Sequence, residues 1–582
     1  MKNYKKVYAA FILAGGLILH GCNGIFDDLA INPTQPSMGA YFTSPSAVND
    51  AVMTMYGYMS TQRCLGASGS KTTIIRSDEA SSNSDYGKPG MFGADLNASY
   101  YTIEQPYTLM YTTASQASYI IETAPSVDFS GNEELRNAYM GEAYFWRAFA
   151  HYYLLINFRN ISPIRQMPRN GDDYVRPLEK PAAVWNFIQE DLAHAKELLP
   201  VKGYWDSKNA GRVTKASAAA LLGKAYLYRS GIEQYYGEDK TTFYSEAAKE
   251  FGDVIDGKYG TYDLTKNYAD NFDVAHENNE ESILEFQFLG DVDNAGFNPG
   301  LATSGLAFDS RGLMLPGAGV GYEGVVHNWL YNAFVNSVDK DGYTDIRMFS
   351  TMIFNDLDAS IHLRNDAGGN LVRLEGPGGY KWEELYPAKN GKEGFATVSN
   401  PLAHSFKAGI RKGIDCSMPT QTEADGTPKL VGVGAGVKEY VYNQPRAHGV
   451  NWRYIRYADV LMMYAEAVVS GGTQASNMTP LQAVNKVRGR VNMSELPSVT
   501  MTDIQNERIL EFALEGHRFY DLLRWGKLAS RFTELQESDP NFKKFISADD
   551  FKGFVTNKHE WLPIPINEVN SNPYITENNP GY

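Results

Sequence analysis

The chain is poor in cysteine, in positive charge and in long apolar runs, and each scarcity excludes a class of function. It has 3 cysteines in 582 residues and no CxxC pair, which excludes a zinc ribbon and a thioredoxin-like centre. Lys and Arg number 53 against 68 Asp and Glu, for a net charge of −15. That acidic balance argues against nucleic acid as a partner. Beyond the N-terminus, no apolar run reaches the roughly 20 residues of a membrane span.

Signatures of catalysis and cofactor binding are also scarce. No HExxH, GxSxG or other nucleophile motif occurs. Gly319–Gly324 matches GxGxxG but lacks the flanking strand and helix of a nucleotide site. Asp291 and Asp293, and the stretch Asp339–Gly342, resemble calcium loops without Glu at the twelfth position, so a bound calcium stays open. We therefore predict no catalytic residue, no cofactor and no resident metal.

The N-terminus has the pattern of a secretory signal. Lys2, Lys5 and Lys6 precede the uncharged apolar run Val7–Leu19, and Cys22 follows a glycine. A basic stub, a short apolar run and a small residue before a cysteine resemble the bacterial lipoprotein signal, in which that cysteine is acylated. We predict cleavage after residue 21 and a lipid on Cys22. The mature chain then carries a net charge near −18, because the signal contains three lysines and no acids.

Residues 22–45 form a predicted tether. Asp27 and Asp28 lie close behind Cys22, an arrangement similar to the surface-export signal of Bacteroidetes lipoproteins. We expect a chain anchored in the outer membrane and facing the cell exterior. The other cysteines, Cys64 and Cys416, could pair in an oxidising location, and their spacing leaves the pairing open.

Helical periodicity dominates the remainder of the chain. The sequence predicts helices over 133–158, 182–199, 214–230, 244–255, 454–470, 479–490 and 502–530. Between them, residues 285–450 are rich in Gly, Asn, Asp and Pro, which is typical of irregular structure with short strands. The predicted fold is mainly α, a tetratricopeptide-like scaffold of helical hairpins with one loop-rich insertion. We divide it into a helical region at 46–284 and a second region at 285–582 that contains the insertion.

Charged residues near the C-terminus repeat at helical spacing. Glu507, Glu511 and Glu515 recur every four residues, with Arg508 and Arg524 nearby. The pattern predicts a structural ion-pair network on one helical hairpin rather than a catalytic group.

Four blocks near the C-terminus carry a specific resemblance. They are Trp452–Ala467, Val487–Arg490, Glu507–Lys527 and the closing Leu562–Pro565 with Asn579–Tyr582. In this order they resemble the conserved blocks of the SusD/RagB family, and Gly211–Lys215 in the first half agrees with it. The resemblance implies a non-catalytic surface lipoprotein that caps a TonB-dependent, SusC-like transporter of the outer membrane and delivers oligosaccharides to it. It does not name the substrate.

A neutral sugar is bound by flat aromatic rings and by polar side chains at the ring edges. Two loop-rich regions, 76–107 and 297–331, supply such residues, in positions where the family often builds its site. The predicted glycan-binding residues are Asp78, Asn83, Tyr86, Asn97, Tyr100, Tyr101, Tyr322 and Trp329.

Three other functions stay open on the sequence. A peptide or glycopeptide ligand would need an extended groove that satisfies backbone amides. A glycosidase would need two carboxylates facing each other in a cleft. A lid with a mainly structural role would bind no soluble ligand.

Overall fold

The structure is a computed structural model. It describes residues 42–61, 63–66, 69, 71–82, 96–288, 323–354, 359–363, 407–412, 424, 430–432, 438–440, 450–539 and 553–582. The predicted signal and tether, with Cys22, lie outside these residues, and so does Cys416. Cys64 is buried and forms no disulfide with another described residue, and the question of its pairing with Cys416 stays open.

In the described part of the first half, six α-helices form the scaffold, and consecutive members pack on one another. They are α1 (Pro45–Met59), α2 (Tyr101–Thr123), α3 (Glu133–Phe158), α4 (Pro181–Leu198), α5 (Lys215–Tyr236) and α6 (Tyr244–Ile255). The helices predicted over 133–158, 182–199 and 244–255 are confirmed within one residue, and α5 runs further than the predicted 214–230.

Local sequence sets the ends of α3. Asn132 caps its start, with Oδ1 accepting the Leu135 N–H at 3.1 Å. Two glutamates occupy the first turn, where the helix dipole favours negative charge. Helix α3 ends at Arg159, whose φ of 61° lies in the left-handed region. Large apolar side chains of this helix, among them Trp146 and Phe149, are buried. Helix α3 is therefore the central helix of this half.

Eight further α-helices follow among the residues that the structure describes. They are α7 (Asn328–Val335), α8 (Arg347–Thr351), α9 (Tyr457–Val469), α10 (Pro480–Arg490), α11 (Met501–Glu511), α12 (Arg518–Arg524), α13 (Leu528–Ser538) and α14 (Ile566–Ser571). The helix predicted over 479–490 is confirmed. The one predicted over 454–470 begins only at Tyr457, because residues 452–456 form a strand. Every residue of that strand is buried, including Arg453 and Arg456, so the alternation of buried apolar and exposed polar residues that marks a half-exposed strand is missing.

The stretch predicted as helical over 502–530 is divided among three helices, α11, α12 and α13. The chain turns between α11 and α12, where Leu514 and Gly516 adopt φ of 61° and 84°. A Cβ on Gly516 would lie 2.9 Å from Thr73 Oγ1. Glycine is therefore required there both for its backbone angle and for the close approach.

The strands are short and form three small sheets. They are β1 (Ala80–Ser82), β2 (Ser282–Phe286), β3 (Glu323–Val326), β4 (Met352–Phe354), β5 (Ala408–Ile410), β6 (Leu430–Gly432), β7 (Lys438–Tyr440) and β8 (Trp452–Arg456). The largest sheet has the order β1-β3-β5-β4, and all its neighbours are antiparallel. Strand β2 pairs with β8, and β6 pairs with β7. The predicted boundary between residues 284 and 285 falls inside β2.

One continuous hydrophobic core joins both halves, from Phe42 to Ile575. Helix α9 packs on α6 and α10, and α12 packs on α5, so the second half closes against the first. The mainly helical class with short strands in the insertion is confirmed. Within the described ranges, none of the helices is both long and apolar enough to cross a membrane.

Candidate functional site

Strands β1 and β3 bring the two predicted ligand regions together. Ala80 pairs with Val326 and Ser82 pairs with Glu323 in an antiparallel ladder. Residues 83–95 follow Ser82 directly in sequence, and residues 289–322 directly precede Glu323. The two regions therefore join the scaffold side by side, although they are more than 200 positions apart in sequence. Asp78 lies just before β1, and Trp329 lies just after β3.

Asp78 is buried with no exposed surface. Its carboxylate accepts hydrogen bonds from Arg518 Nε at 2.9 Å and from Arg531 Nε at 2.6 Å. Burial alone would raise the pKa of Asp78, but these two guanidiniums hold it below its usual value. The backbone oxygen of Asp78 accepts from the indole Nε1 of Trp329 and lies 2.7 Å from His327 Nδ1. The expectation that Asp78 touches a ligand is corrected here: all its polar atoms face inward, and it positions its neighbours instead.

Trp329 borders an open groove with a volume of about 520 Å³. The indole is half-buried, and the Arg531 guanidinium lies 4.2 Å from its ring centroid. Helices α11, α12 and α13 form the facing wall. The polar groups that line the groove are Gln505, Asn506, Arg518, Lys527, Ser530, Arg531 and Glu534. Aromatic and apolar surface therefore lies among several donors and acceptors, an arrangement that suits a ligand rich in hydroxyl groups.

Three other predicted residues lie together at the start of α2. Tyr101 is 42% exposed, and its ring centroid is 5.5 Å from that of half-buried Tyr100, with 32° between the ring planes. Asn97 is exposed, and its Oδ1 accepts the Ser99 N–H at 2.9 Å. Their ligand contacts stay predictions. Asn83, Tyr86 and Tyr322 lie outside the described residues.

The groove contains residues that the sequence did not single out. Gln505 and Asn506 come from α11, and Ser530 and Glu534 come from α13. They lie beside the block Glu507–Lys527, which the sequence indicated to be a family block with a structural ion-pair network. Nothing in that pattern pointed to a ligand. The available signal was the uncharged polar pair Gln505-Asn506 on a helix otherwise rich in charge.

The C-terminal acidic residues form a larger cluster than predicted. We name it the buried ion network, and its members are Glu281, Arg347, Arg456, Arg490, Glu507, Glu511 and Glu515. Arg456 is fully buried and bonds to three carboxylates, those of Glu281 at 2.7 Å, Glu511 at 2.6 Å and Glu515 at 2.9 Å. The structural interpretation agrees with this geometry. The prediction that the network lies on one hairpin was wrong, since its other members, Glu281, Arg347, Arg456 and Arg490, come from four separate parts of the chain.

The stretch 339–342, at which the sequence left a bound calcium open, is a compact turn. Asp339 Oδ1 accepts the N–H groups of Asp341 and Tyr343 at 2.9 and 3.0 Å. Asn492 Nδ2 donates to both aspartates, at 3.2 and 2.8 Å. These bonds occupy carboxylate oxygens that a cation would need. Nowhere in the described part of the chain do three His, Cys, Asp or Glu side chains gather as a metal site would require.

Comparison with known families agrees with the sequence blocks. Residues 423–582 match the SusD family, and residues 31–227 match a family described as "Starch-binding associating with outer membrane". A "SusD-like protein" of Bacteroides ovatus is 24% identical over 90% of this chain and 83% of its own length. "SusD-like protein P2" of Formosa agariphila is 25% identical over the full length of both chains.

Solved structures of similar fold cover nearly the whole chain. A SusD superfamily protein of Bacteroides vulgatus has a TM-score of 0.67 at 22% identity, over 93% of this chain and 100% of that one. A structure titled "Laminarin binding SusD-like protein" has a TM-score of 0.62 at 22% identity, with the same coverage. One described as bound to a xylogluco-oligosaccharide has a TM-score of 0.60 at 20% identity, over 91% and 98%. The sequence blocks, the two family matches and the shared fold lead to one conclusion: the chain belongs to the SusD/RagB family.

Proposed function

We propose that this protein captures oligosaccharides at the cell surface and passes them to a TonB-dependent outer-membrane transporter of the SusC type. It acts without catalysis and is anchored in the outer membrane through a lipid on Cys22. The ligand binds where residues 83–95 and 289–322 join the scaffold, next to the Trp329 groove.

One observation carries the proposal, namely the pairing of Ser82 with Glu323. That pairing unites two stretches chosen independently for their aromatic and amide residues. The groove beside it offers an indole edge and mixed donors and acceptors in a volume of about 520 Å³, within the roughly 300–1,000 Å³ range of small-ligand sites.

The relatives support the ligand class. The titles of two structures of this fold name laminarin and a xylogluco-oligosaccharide as their ligands, and one matched family is described as starch-binding. The anchor and the surface location are supported by the signal pattern around Cys22 and by the family description, which refers to the outer membrane. The transporter partner rests on family membership.

The test is a binding panel on the mature chain from residue 23 onward, without lipid. Laminarin, xyloglucan, starch and a panel of host glycans are cast in native gels, and migration is compared with and without each glycan. We expect one glycan class to retard the protein. Trp329→Ala should abolish the retardation, and Tyr101→Ala should weaken it if the start of α2 takes part.

Trp205→Ala is a closely matched control. Trp205 is also half-buried, its indole N–H donates to the Val213 carbonyl at 3.2 Å, and Arg212 lies 4.2 Å from its ring centroid. Trp329 has the same three features, so Trp205→Ala reports the cost of losing such a tryptophan away from the groove. Equal loss of binding in both variants would contradict the location. Retardation by no glycan would favour a peptide ligand or a structural lid, and shortened oligosaccharides recovered after incubation would indicate an enzyme.

A further inference from the structure

A second cleft lies on another side of the scaffold, between α2 and α14. Its volume is about 380 Å³, and it shares no lining residue with the Trp329 groove. Glu104 and Thr108 of α2 face Asn567 and Glu568 of α14 across it, and Asn567 Nδ2 donates to Glu104. The Ile566 N–H donates to the Ala98 carbonyl at 2.8 Å. Both walls are therefore fixed to each other at one end of the cleft.

Arg176 is the one cationic side chain in the described lining of this cleft. It is half-buried, and its guanidinium makes no hydrogen bond or ion pair with any residue in the part of the chain that the structure describes. Its backbone carbonyl is fixed, accepting from Ser162 Oγ at 3.0 Å and from Asn572 Nδ2 at 2.9 Å. Most half-buried arginines here are paired, so Arg176 offers unused donors to whatever enters the cleft.

Two tyrosines form the floor of the cleft. The ring centroids of Tyr107 and Tyr111 are 4.9 Å apart, and Tyr111 Oη accepts the Ser162 N–H at 3.1 Å. Burial, with a contribution from the nearby Glu568 carboxylate, raises the pKa of both phenols, so both stay neutral. The floor therefore presents ring surface together with uncharged hydroxyl groups.

This lining selects for a neutral polyhydroxyl ligand. A single anion would meet two carboxylates, Glu104 and Glu568, and a single cation would meet Arg176. Sugar hydroxyls can donate to the carboxylates and accept from the guanidinium, while the C–H faces of the sugar cover the tyrosine rings. We propose that the α2–α14 cleft is a second saccharide-binding site, separate from the Trp329 groove, with Arg176 as its main donor. The ligand class rests on the proposed function, but the location does not.

The test uses isothermal titration of the mature chain with laminarihexaose, maltoheptaose and a xyloglucan oligosaccharide. Trp329→Ala removes the first site and should leave a second saturable one. Adding Thr108→Trp to that variant fills the cleft from an exposed position, and adding Arg176→Gln removes the donor. We expect each to weaken the remaining binding about tenfold or more, as the loss of a buried charged hydrogen bond does. The controls are Thr54→Trp, at an exposed threonine of α1, and Arg63→Gln, at an exposed arginine; both should leave it unchanged.

The outcomes separate the two sites. If Trp329→Ala alone abolishes all binding, the second site is overturned and the proposed function stands. If Thr108→Trp leaves the remaining saccharide affinity of the Trp329→Ala variant unchanged, the cleft is not the second site. If Thr108→Trp removes the binding of the otherwise unchanged protein and Trp329→Ala does not, the cleft stands and the Trp329 location fails. If no saccharide of the panel releases heat with the unchanged protein, both proposals fail.

Discussion

Buried charge is arranged differently in the two halves of the scaffold. In the first half it forms isolated pairs between neighbouring elements, such as Arg147 with Asp191 at 2.7 Å and Arg212 with Glu142 at 2.5 Å. In the second half the buried ion network gives Arg456 three carboxylates. Arg147 joins α3 to the next helix, α4, and Arg212 joins the loop before α5 to α3, whereas the network joins segments far apart in sequence. Buried charge therefore stabilises contacts between nearby elements in the first half and contacts between distant segments in the second.

The pKa directions follow the same division. Burial raises the pKa of Glu142 and Asp191, because one arginine does not offset the desolvation of each carboxylate. The pKa values of Glu281, Glu511 and Glu515 are lowered, because two or more cations outweigh the same desolvation. A buried carboxylate is thus favoured as an anion only where several cations converge on it.

The largest expected effect comes from removing the centre of the network. Arg456→Met leaves three buried carboxylates without their shared cation, and we expect a loss of about 3–5 kcal/mol in the free energy of unfolding. Arg147→Met leaves a single carboxylate, which can take up a proton, so its loss should be smaller. Urea titration followed by circular dichroism measures both. Equal losses of unfolding free energy in the two variants would contradict the proposed difference between the network and the isolated pair.

A smaller effect is expected where the two halves touch without charge. Gly231 of α5 lies against α12, and a Cβ there would be 2.5 Å from the Arg524 carbonyl oxygen. Gly231→Ala should therefore cost about 1–3 kcal/mol by overpacking, despite the better helix propensity of alanine. Gly57→Ala is the control, because no atom lies within 4 Å of its added Cβ, and it should stabilise slightly. Two separate unfolding transitions in Gly231→Ala would show that the halves can unfold independently.

The smallest effect is a pair of opposite pH slopes. The lowered pKa of Glu515 contributes stability that is present above its usual value near 4.5 and is lost as the pH falls below it. The raised pKa of Glu142 contributes stability that is present below 4.5 and is lost as the pH rises through the folded value. The cost of Glu515→Gln should therefore fall as the pH drops below about 4.5, whereas the cost of Glu142→Gln should fall as the pH rises above about 4.5, each by about 1.4 kcal/mol for each unit of pKa difference. Unfolding free energies at several pH values test this, and slopes of the same sign would contradict it.

The sequence predicted local structure well and distant contacts poorly. Helix α3 follows from periodicity, and helix α4, which stops two residues before Pro200, follows from periodicity and a terminating proline, which are local signals. The last three residues of strand β8, 454–456, were predicted as helix, because a strand buried on both faces shows no alternation of exposed polar and buried apolar residues. The glutamates of α11 were recognised as structural, but their partner Arg347 lies more than 150 positions away, and so does Glu281, which shares Arg456 and Arg490 with Glu511. No spacing rule links such residues.

The candidate site shows the same limit. Trp329 borders a groove, as its aromatic character and position suggested, whereas Asp78 is buried beneath it. An aspartate in a polar stretch has the same appearance in sequence whether it faces solvent or two arginines. Only the fold, which brings Arg518 and Arg531 to Asp78 from more than 400 positions away, decides between them.

The three-residue ladder of β1 with β3 has a consequence for how such a protein diversifies. Residues 83–95 and 289–322 are both attached at this one junction, while the helices and the buried ion network lie in other stretches of sequence. On the function proposed above, exchanging the two stretches together, cut at Ser82–Leu96 and at Phe288–Glu323, would replace the proposed ligand-binding surface and leave the described helices and the buried ion network unchanged. A protein with this architecture can thus change its ligand by recombination of about one twelfth of its chain.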